Sequence, residues 1–207
     1  MSTEILGTFT DPELSQVIAR EAGAMLLDLR ESYGVVEPGD KERANQLRKE
    51  GDRLAHELIA AALAEHRPND ALLSEEGKDD NSRLTAERVW IVDPLDGTWE
   101  YGQFREDFAV HVALWHSASQ SLSACTVDLP AQGLTRSMLD EVSGPGALPV
   151  DRPIRVVASR SRAPESLARA MEILSASLAS SGVTDRGIEI VYVGSVGAKV
   201  NVILSGG

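Results

Sequence analysis

The chain has 207 residues, 43% of them hydrophobic, and a formal net charge of −12 at pH 7. This acidic balance argues against binding to nucleic acid or to an anionic membrane surface, because both need a basic protein face. It does not exclude an anionic small molecule as substrate, since a bound metal ion can invert the local field.

Cysteine content and the first residues predict a cytoplasmic protein. The single cysteine, Cys125, cannot form an internal disulfide, so we expect a reducing compartment. Glu4 and Asp11 stand where a signal peptide would be basic, and no apolar run approaches the length of a membrane span. We therefore expect a small-molecule partner, and neither a membrane nor a nucleic acid.

The first predicted element is a helix over residues 11–30. Thr10 precedes it as a cap and Pro12 lies in its first turn. Apolar residues then recur with a helical period. A loop is predicted at 33–40.

A second helix is predicted over residues 41–66. Gly51 interrupts its pattern, so we expect the helix proper to begin near Asp52. Asp52 would then lie at the positive end of the helix dipole, and a simple helix cap is the alternative interpretation. A turn follows at 67–70.

Two short predicted strands end in acidic residues. The first, at 71–74, runs into Glu75 and Glu76, and a polar loop at 77–85 separates it from the second, at 89–92. Neighbouring strands that end together place such carboxylates around one small volume, which favours a metal site. For the two glutamates alone, a solvated strand end is the alternative.

The segment Trp-Ile-Val-Asp-Pro-Leu-Asp-Gly-Thr is the most informative part of the chain. Pro94 and Gly97 predict a turn, and this turn carries the carboxylates of Asp93 and Asp96 and the hydroxyl of Thr98. Like charges held this close repel unless a cation lies between them. Hard oxygen ligands without soft ones favour Mg²⁺ over Zn²⁺.

The rest of the chain alternates strands and helices, which indicates an α/β layer. Residues 130–150 are rich in Gly, Pro and Ser and mark the predicted domain boundary. We assign an N-terminal α+β domain, carrying the acidic motifs, to 1–145 and a C-terminal α/β domain to 146–207. The remaining predicted elements are strands at 108–115, 121–129, 154–159 and 188–193, and helices at 164–180 and 199–204.

These motifs resemble those of the inositol monophosphatase superfamily, the metal-dependent, lithium-sensitive phosphatases. Within it the chain looks most like the 3′-phosphoadenosine 5′-phosphate phosphatases, or 3′(2′),5′-bisphosphate nucleotidases. The segment around Asp93 is highly specific, whereas the supporting segments would be weak alone. The supporting segments are Gly51-Asp52-Arg53, Asp107 to Trp115 and Gly194 to Lys199, whereas Ser74-Glu75-Glu76 belongs with the Asp93 segment to the likeness to the superfamily.

The resemblance implies an α/β fold, a layered α/β/α/β/α sandwich, and a phosphoester substrate in the cytoplasm. It implies two or three Mg²⁺ ions, with Mn²⁺ as a substitute. Glu75, Asp93 and the Leu95 carbonyl would hold the first metal, and Asp93 and Asp96 the second. Thr98 would donate its hydroxyl hydrogen bond to Asp52, and the pair would orient the attacking water.

Substrate contacts are also implied by the resemblance. They involve the backbone at Gly97 and Thr98, together with the Asp96 carboxylate. The resemblance also implies substrate contacts from three residues further along the chain, Asp107, Gly197 and Lys199. For Lys199, a plain position on the helix surface is the alternative. The resemblance leaves monomer and homodimer both open.

The chain departs from the family pattern at its C-terminal end. It stops in or just after the helix that follows Gly197, whereas the family continues into a Trp-Asp motif whose Asp is a metal ligand. A truncated product, a natural short form and a part of a longer gene product are all compatible with this. Without a replacement for that Asp, we expect weak binding of the second metal.

Three functional interpretations follow. The first is a Mg²⁺-dependent phosphomonoesterase that converts 3′-phosphoadenosine 5′-phosphate to AMP in sulfur assimilation. The second is an inositol 1-phosphate or fructose 1,6-bisphosphate phosphatase, which the acidic motifs do not separate from the first. The third, from another class, is an inactive metal- or nucleotide-binding protein.

Overall fold

The computed structural model describes residues 9–34, 39–78, 81–141 and 151–205. The chain divides into two compact units, residues 1–141 and 142–207, and each has its own sheet. Parts of the predicted loops (35–38 and 79–80) and the predicted boundary at 145/146 lie outside the described residues. Among the described residues, no helix combines the length and the apolar character that crossing a bilayer requires.

Two long helices open the first unit. α1 spans Asp11–Tyr33, slightly longer than predicted, and the Thr10 N–H donates to the Glu13 carboxylate at 2.8 Å. α2 spans Lys41–His66 as predicted.

The expectation that Gly51 breaks α2 is wrong. The helix begins after Asp40, whose carboxylate accepts from the Arg43 N–H at 3.0 Å, and it runs through Gly51 without interruption. Gly51 is buried, and a Cβ there would lie 2.8 Å from the ring of Tyr101. The glycine therefore provides space for a packed aromatic ring, and Asp52 lies inside the helix and away from the positive end of its dipole.

A five-stranded sheet lies against these helices, with the strands in chain order from edge to edge. The first two strands are parallel and the other neighbours are antiparallel. The fifth strand is not among the predicted elements, and it forms inside residues 130–150, the segment assigned to the domain boundary. The strands are β1 (Ala71–Ser74), β2 (Arg88–Asp96), β3 (Ala109–His116), β4 (Ser121–Leu129) and β5 (Leu134–Ser137).

β2 extends further than its apolar run predicts. It continues through Asp96, and its pairing with β3 is irregular between Asp93 and Asp96, which is the signature of a β-bulge. The predicted turn at Pro94 is therefore wrong. The reversal occurs at Gly97, whose φ of +90° suits glycine, and the short helix α3 (Thr98–Gly102) follows.

The core of the first unit lies between one face of the sheet and the two long helices. Period-2 alternation along β3 buries every second residue, as a strand with one covered face requires. The fully buried side chains include Leu14, Ile18, Leu26, Leu47, Ile59, Trp90, Tyr101, Phe108, Val110, Val112 and Leu114.

The second unit contains a parallel pair of strands, β6 (Ile154–Ser159) and β7 (Ile188–Val193), both as predicted. Between them in the chain lies α4 (Leu167–Ser180), which begins three residues later than expected. α5 (Val196–Leu204) follows β7 and begins earlier than expected, because Ser195 accepts from the Ala198 N–H at 3.0 Å and caps the helix. Both units mix helices and strands, so the predicted α/β class is confirmed.

Candidate active site

Acidic residues meet where β1 and β2 end. The strands are parallel and in register from Ala71 opposite Val89 to Ser74 opposite Val92, so their carboxyl ends lie at the same edge. The Glu75 N–H donates to the Val92 carbonyl at 3.2 Å, which extends the pairing by one residue. Glu75, directly after β1, therefore lies beside Asp93, which is still within β2. The Glu75 side chain is exposed.

The bulge in β2 sets the positions of both aspartates. The carboxylate of Asp93 accepts from the Leu95 N–H at 3.2 Å, which fixes the local backbone. Leu95 is buried, and its carbonyl accepts from the Thr98 hydroxyl at 3.0 Å. The side chain of Asp96 is only 13% exposed and Asp93 is half-buried, so both carboxylates are partly removed from water.

Thr98 links this segment to α2. Its hydroxyl lies 3.5 Å from the Asp52 carboxylate, at the outer limit of a hydrogen bond, and closer to the Leu95 carbonyl. The packing of Tyr101 against Gly51 holds α3 on α2, and the Tyr101 hydroxyl donates to the Leu26 carbonyl at 2.8 Å. The structure thus places Thr98 near Asp52, where the resemblance implies it, and the packing of Tyr101 on Gly51 that supports this placement is not evident from the sequence.

Electrostatics show that these acids share one environment. Burial, followed by the charges of Glu76, Asp93 and Glu75, raises the pKa of Asp52 to about 7. Burial, followed by the charges of Asp96 and Glu75, raises the pKa of Asp93 to about 6. Neighbouring carboxyl groups with strongly shifted pKa values, one on α2 and one on β2, are candidates for a functional site.

The chemical type of the donor atoms suits a hard divalent cation. Carboxylates of Glu75, Asp93 and Asp96 and the Leu95 carbonyl are all oxygen ligands, which Mg²⁺ prefers. Among the described residues, however, no group of three or more His, Cys, Asp or Glu side chains is arranged closely enough to hold an ion as it stands. The residues therefore fit the predicted metal chemically, and their coordination geometry stays a prediction.

Two histidines contact this region, and sequence reasoning assigned neither a role in it. His56 on α2 hydrogen-bonds through Nδ1 to the Ser74 hydroxyl at 2.8 Å, directly before the two glutamates. His111 on β3 lies with its Nε2 3.0 Å from Asp96 Oδ2. A single sequence carries no signal for either contact, because both depend on how distant elements pair.

The remaining predicted contacts stay predictions. Asp107 lies two residues before Ala109, the β3 residue that faces Asp96. Gly197 and Lys199 belong to the second unit, in the first turn of α5. The Lys199 ammonium donates to the Gly194 carbonyl, so it stabilises its own helix start. A substrate phosphate would have to compete with that hydrogen bond.

The chain resembles known proteins over nearly all its length. The profile of the inositol monophosphatase family matches residues 12–198. The chain is 39% identical, over 207 residues, to the 3′-phosphoadenosine 5′-phosphate phosphatase of Mycobacterium leprae, with 95% of this chain and 69% of the relative covered. The protein of the same name from Mycobacterium tuberculosis is 38% identical over 192 residues, with 90% and 65% covered. The chain thus spans about two thirds of the length of these curated relatives.

The fold of the chain is also similar to that of a solved structure. The crystal structure of CysQ from Bacteroides thetaiotaomicron, a bacterial member of the inositol monophosphatase family, is similar with a TM-score of 0.65 and 25% identity. The likeness covers 96% of this chain and 78% of that one.

Proposed function

The chain belongs to the inositol monophosphatase family, and from this premise we propose that it is a Mg²⁺-dependent phosphomonoesterase that removes the 3′-phosphate of 3′-phosphoadenosine 5′-phosphate. The observation that carries this proposal is the shared edge of β1 and β2. There the bulge that bears Asp93 and Asp96 lies beside Glu75, and Thr98 connects it to Asp52.

Hydrolysis of a phosphate monoester needs an oriented water, neutralisation of the negative charge on the phosphoryl oxygens and stabilisation of the leaving oxygen. Glu75, Asp93, Asp96 and the Leu95 carbonyl would hold the metal. When bound, Mg²⁺ supplies positive charge for the phosphoryl oxygens and lowers the pKa of a nearby water.

The chain's own residues orient the reactants. Asp52 and Thr98, with their side-chain oxygens 3.5 Å apart, hold the attacking water, and Asp52 accepts its proton. The water oxygen bonds to phosphorus as the bond to O3′ breaks, and O3′ keeps the electron pair and takes a proton from solvent water. Asp52 then returns the proton that it accepted to solvent. The products are AMP and inorganic phosphate.

The choice of substrate has separate support. The two mycobacterial relatives that are 38–39% identical carry the name of a 3′-phosphoadenosine 5′-phosphate phosphatase. Such a bisphosphate also brings a second phosphate, for which the Lys199 ammonium is the proposed partner. The oxygen donors on β2 would serve inositol 1-phosphate or fructose 1,6-bisphosphate equally well, so these remain the substrates to compare.

A binding protein without turnover is the second candidate. It draws on the finding that, within the described residues, no three ligating side chains are arranged to hold an ion, which weighs against metal-dependent turnover and does not by itself favour a metal site. It predicts binding of metal or nucleotide and no release of phosphate, which separates it from the enzyme.

Phosphate release tests the proposal directly. The wild type, Asp93→Asn and Asp28→Asn are each assayed on 3′-phosphoadenosine 5′-phosphate, inositol 1-phosphate and fructose 1,6-bisphosphate. Each assay is run with Mg²⁺ and again with excess chelator. Asp28 is an exposed residue of α1, so its variant controls for the loss of one carboxylate charge. We expect the adenosine bisphosphate to be preferred and chelator to abolish activity.

Asp93→Asn should lose about 10²-fold or more in rate, the range for removing one electrostatic stabiliser, and Asp28→Asn should match the wild type. Preference for inositol 1-phosphate would change the substrate assignment. Activity that persists in chelator would refute the metal-dependent mechanism.

A further inference from the structure

His111 occupies a defined place beside the two aspartates of β2. It lies on β3, where its cross-strand partner is Asp93, and paired residues project from the same face of a sheet. The bulge brings Asp96 back toward the same position, so that Asp96 Oδ2 lies 3.0 Å from His111 Nε2. One imidazole therefore adjoins both aspartates.

The hydrogen bond between His111 and Asp96 is partly shielded from solvent, yet both side chains remain accessible from a binding site. The side chains of His111 and Asp96 are 28% and 13% exposed, so water competes only partly for their hydrogen bond. The alternation along β3 explains the placement, because Val110 and Val112 are buried against the helices and His111 projects from the opposite face. His111 is thus not a packing residue of the helix-facing core.

The chemistry of the contact favours support over direct ligation. Nε2 already faces a carboxylate oxygen, and a hydrogen bond there requires the nitrogen to donate. Mg²⁺ prefers oxygen to imidazole nitrogen. A carboxylate that ligates a metal is commonly held by such a donor, which fixes its orientation.

We propose that His111 is a positioning residue for metal binding: its Nε2–H holds Oδ2 of Asp96 and so fixes the orientation in which this carboxylate would bind the divalent cation. The inference rests on the proposed function, because it assumes that Asp96 is a metal ligand. His111 itself touches neither metal nor substrate in this arrangement. Its contribution is to restrict the rotation of the partly buried Asp96 carboxylate beside Asp93.

Metal affinity, measured without turnover, tests the inference. Calorimetric titration with Mn²⁺ gives Kd for the wild type and for His111→Leu, His111→Gln and His116→Leu. Leucine removes the donor, whereas glutamine retains an N–H donor at similar reach. His116 serves as the control. It lies on the same strand, and its cross-strand neighbours are Arg88 on β2 and Ser121 on β4. Thermal melting verifies that each variant is folded.

His111→Leu should raise the Kd for Mn²⁺ by about 10–100-fold, the usual cost of losing a group that orients a ligand. His111→Gln should recover most of the affinity, and His116→Leu should bind as the wild type does. An unchanged Kd in His111→Leu overturns the inference, and so does a glutamine variant as weak as the leucine variant.

The wild-type titration separates this inference from the proposed function. If the wild type binds no Mn²⁺, both fail together. If the wild type binds Mn²⁺ and only the variants behave unexpectedly, the positioning role of His111 fails while the metal site stands.

Discussion

Gly51→Ala perturbs the contact that holds α3 against α2. A Cβ at this position would lie 2.8 Å from Cε1 of Tyr101 and 3.3 Å from the side chains of Leu26 and Leu95. Real Cβ atoms essentially never approach a heavy atom within 3.0 Å, so the Tyr101 ring must move. Because Thr98 begins the same short helix, that movement is transmitted to the oxygen that faces Asp52.

Two opposing terms set the expected stability. Alanine in a helix interior gains about 1 kcal/mol over glycine, whereas overpacking a core costs about 1–3 kcal/mol. We expect a net loss of about 1 kcal/mol in the free energy of unfolding. For a chain of this size, that lowers Tm by about 2–4 °C.

The effect on turnover should exceed the effect on stability. Misplacement of a reacting group by about 1 Å can cost about 10²-fold in rate, so kcat should fall by up to that amount. The Kd for Mn²⁺ should change less than kcat, because two of the predicted ligands, Asp93 and Asp96, are held by the pairing of β2 with β3 and only the Leu95 carbonyl contacts α3. Thermal melting, phosphate release and calorimetry measure the three quantities.

Two control variants isolate the ring contact. Ala61→Gly, on the exposed side of α2, measures the helix propensity of this helix and should cost about 1 kcal/mol. In a Tyr101→Leu background the obstructing ring atom is gone, so Gly51→Ala should become stabilising by about 0.5–1 kcal/mol. If Gly51→Ala stabilised the wild-type protein as much as the Tyr101→Leu variant, the Tyr101 ring would not be the reason for glycine at position 51.

Three further predictions follow from the structure. Burial raises the pKa of Asp11, but hydrogen bonds from two arginines outweigh it and hold that pKa below its ordinary value. The stability from Asp11 should thus be present above about pH 4 and be lost as pH falls through the lower folded-state pKa. Urea unfolding of Asp11→Asn across pH checks this, and an equal deficit at pH 7 and pH 3 would contradict it. His56→Leu removes the 2.8 Å hydrogen bond to Ser74 and should weaken Mn²⁺ binding, by up to about 10–100-fold, through the adjoining Glu75; unchanged calorimetry would exclude the link. Lys199→Ala should raise KM for the adenosine bisphosphate and spare inositol 1-phosphate; equal losses in kcat/KM would refute its role in specificity.

The sequence predicts the elements better than the contacts between them. Strands β4, β6 and β7 have the predicted bounds, because apolar runs bounded by turn residues define short strands. β5 was missed, since its four residues are all of intermediate burial and give no clear alternation. Its identity as a strand comes from pairing with β4, which local sequence does not encode.

Gly51 shows why the site could be predicted only in part. In one sequence, a glycine inside a helical pattern indicates either a break or a close approach, and nothing local distinguishes them. The same limit applies to His111, whose partner Asp96 lies on another strand. The carboxylates themselves were predictable, because their own strands carry them to one edge.

The decisive test of the main claim is a Mn²⁺ titration of the wild type and of Asp93→Asn, paired with phosphate release from 3′-phosphoadenosine 5′-phosphate at saturating Mg²⁺. The claim is that the carboxylates at the shared edge of β1 and β2 form a metal-dependent phosphatase centre. It predicts that the wild type binds Mn²⁺ and releases phosphate, and that Asp93→Asn loses both affinity and about 10²-fold or more in rate. Wild-type affinity and wild-type turnover in a folded Asp93→Asn protein would contradict it.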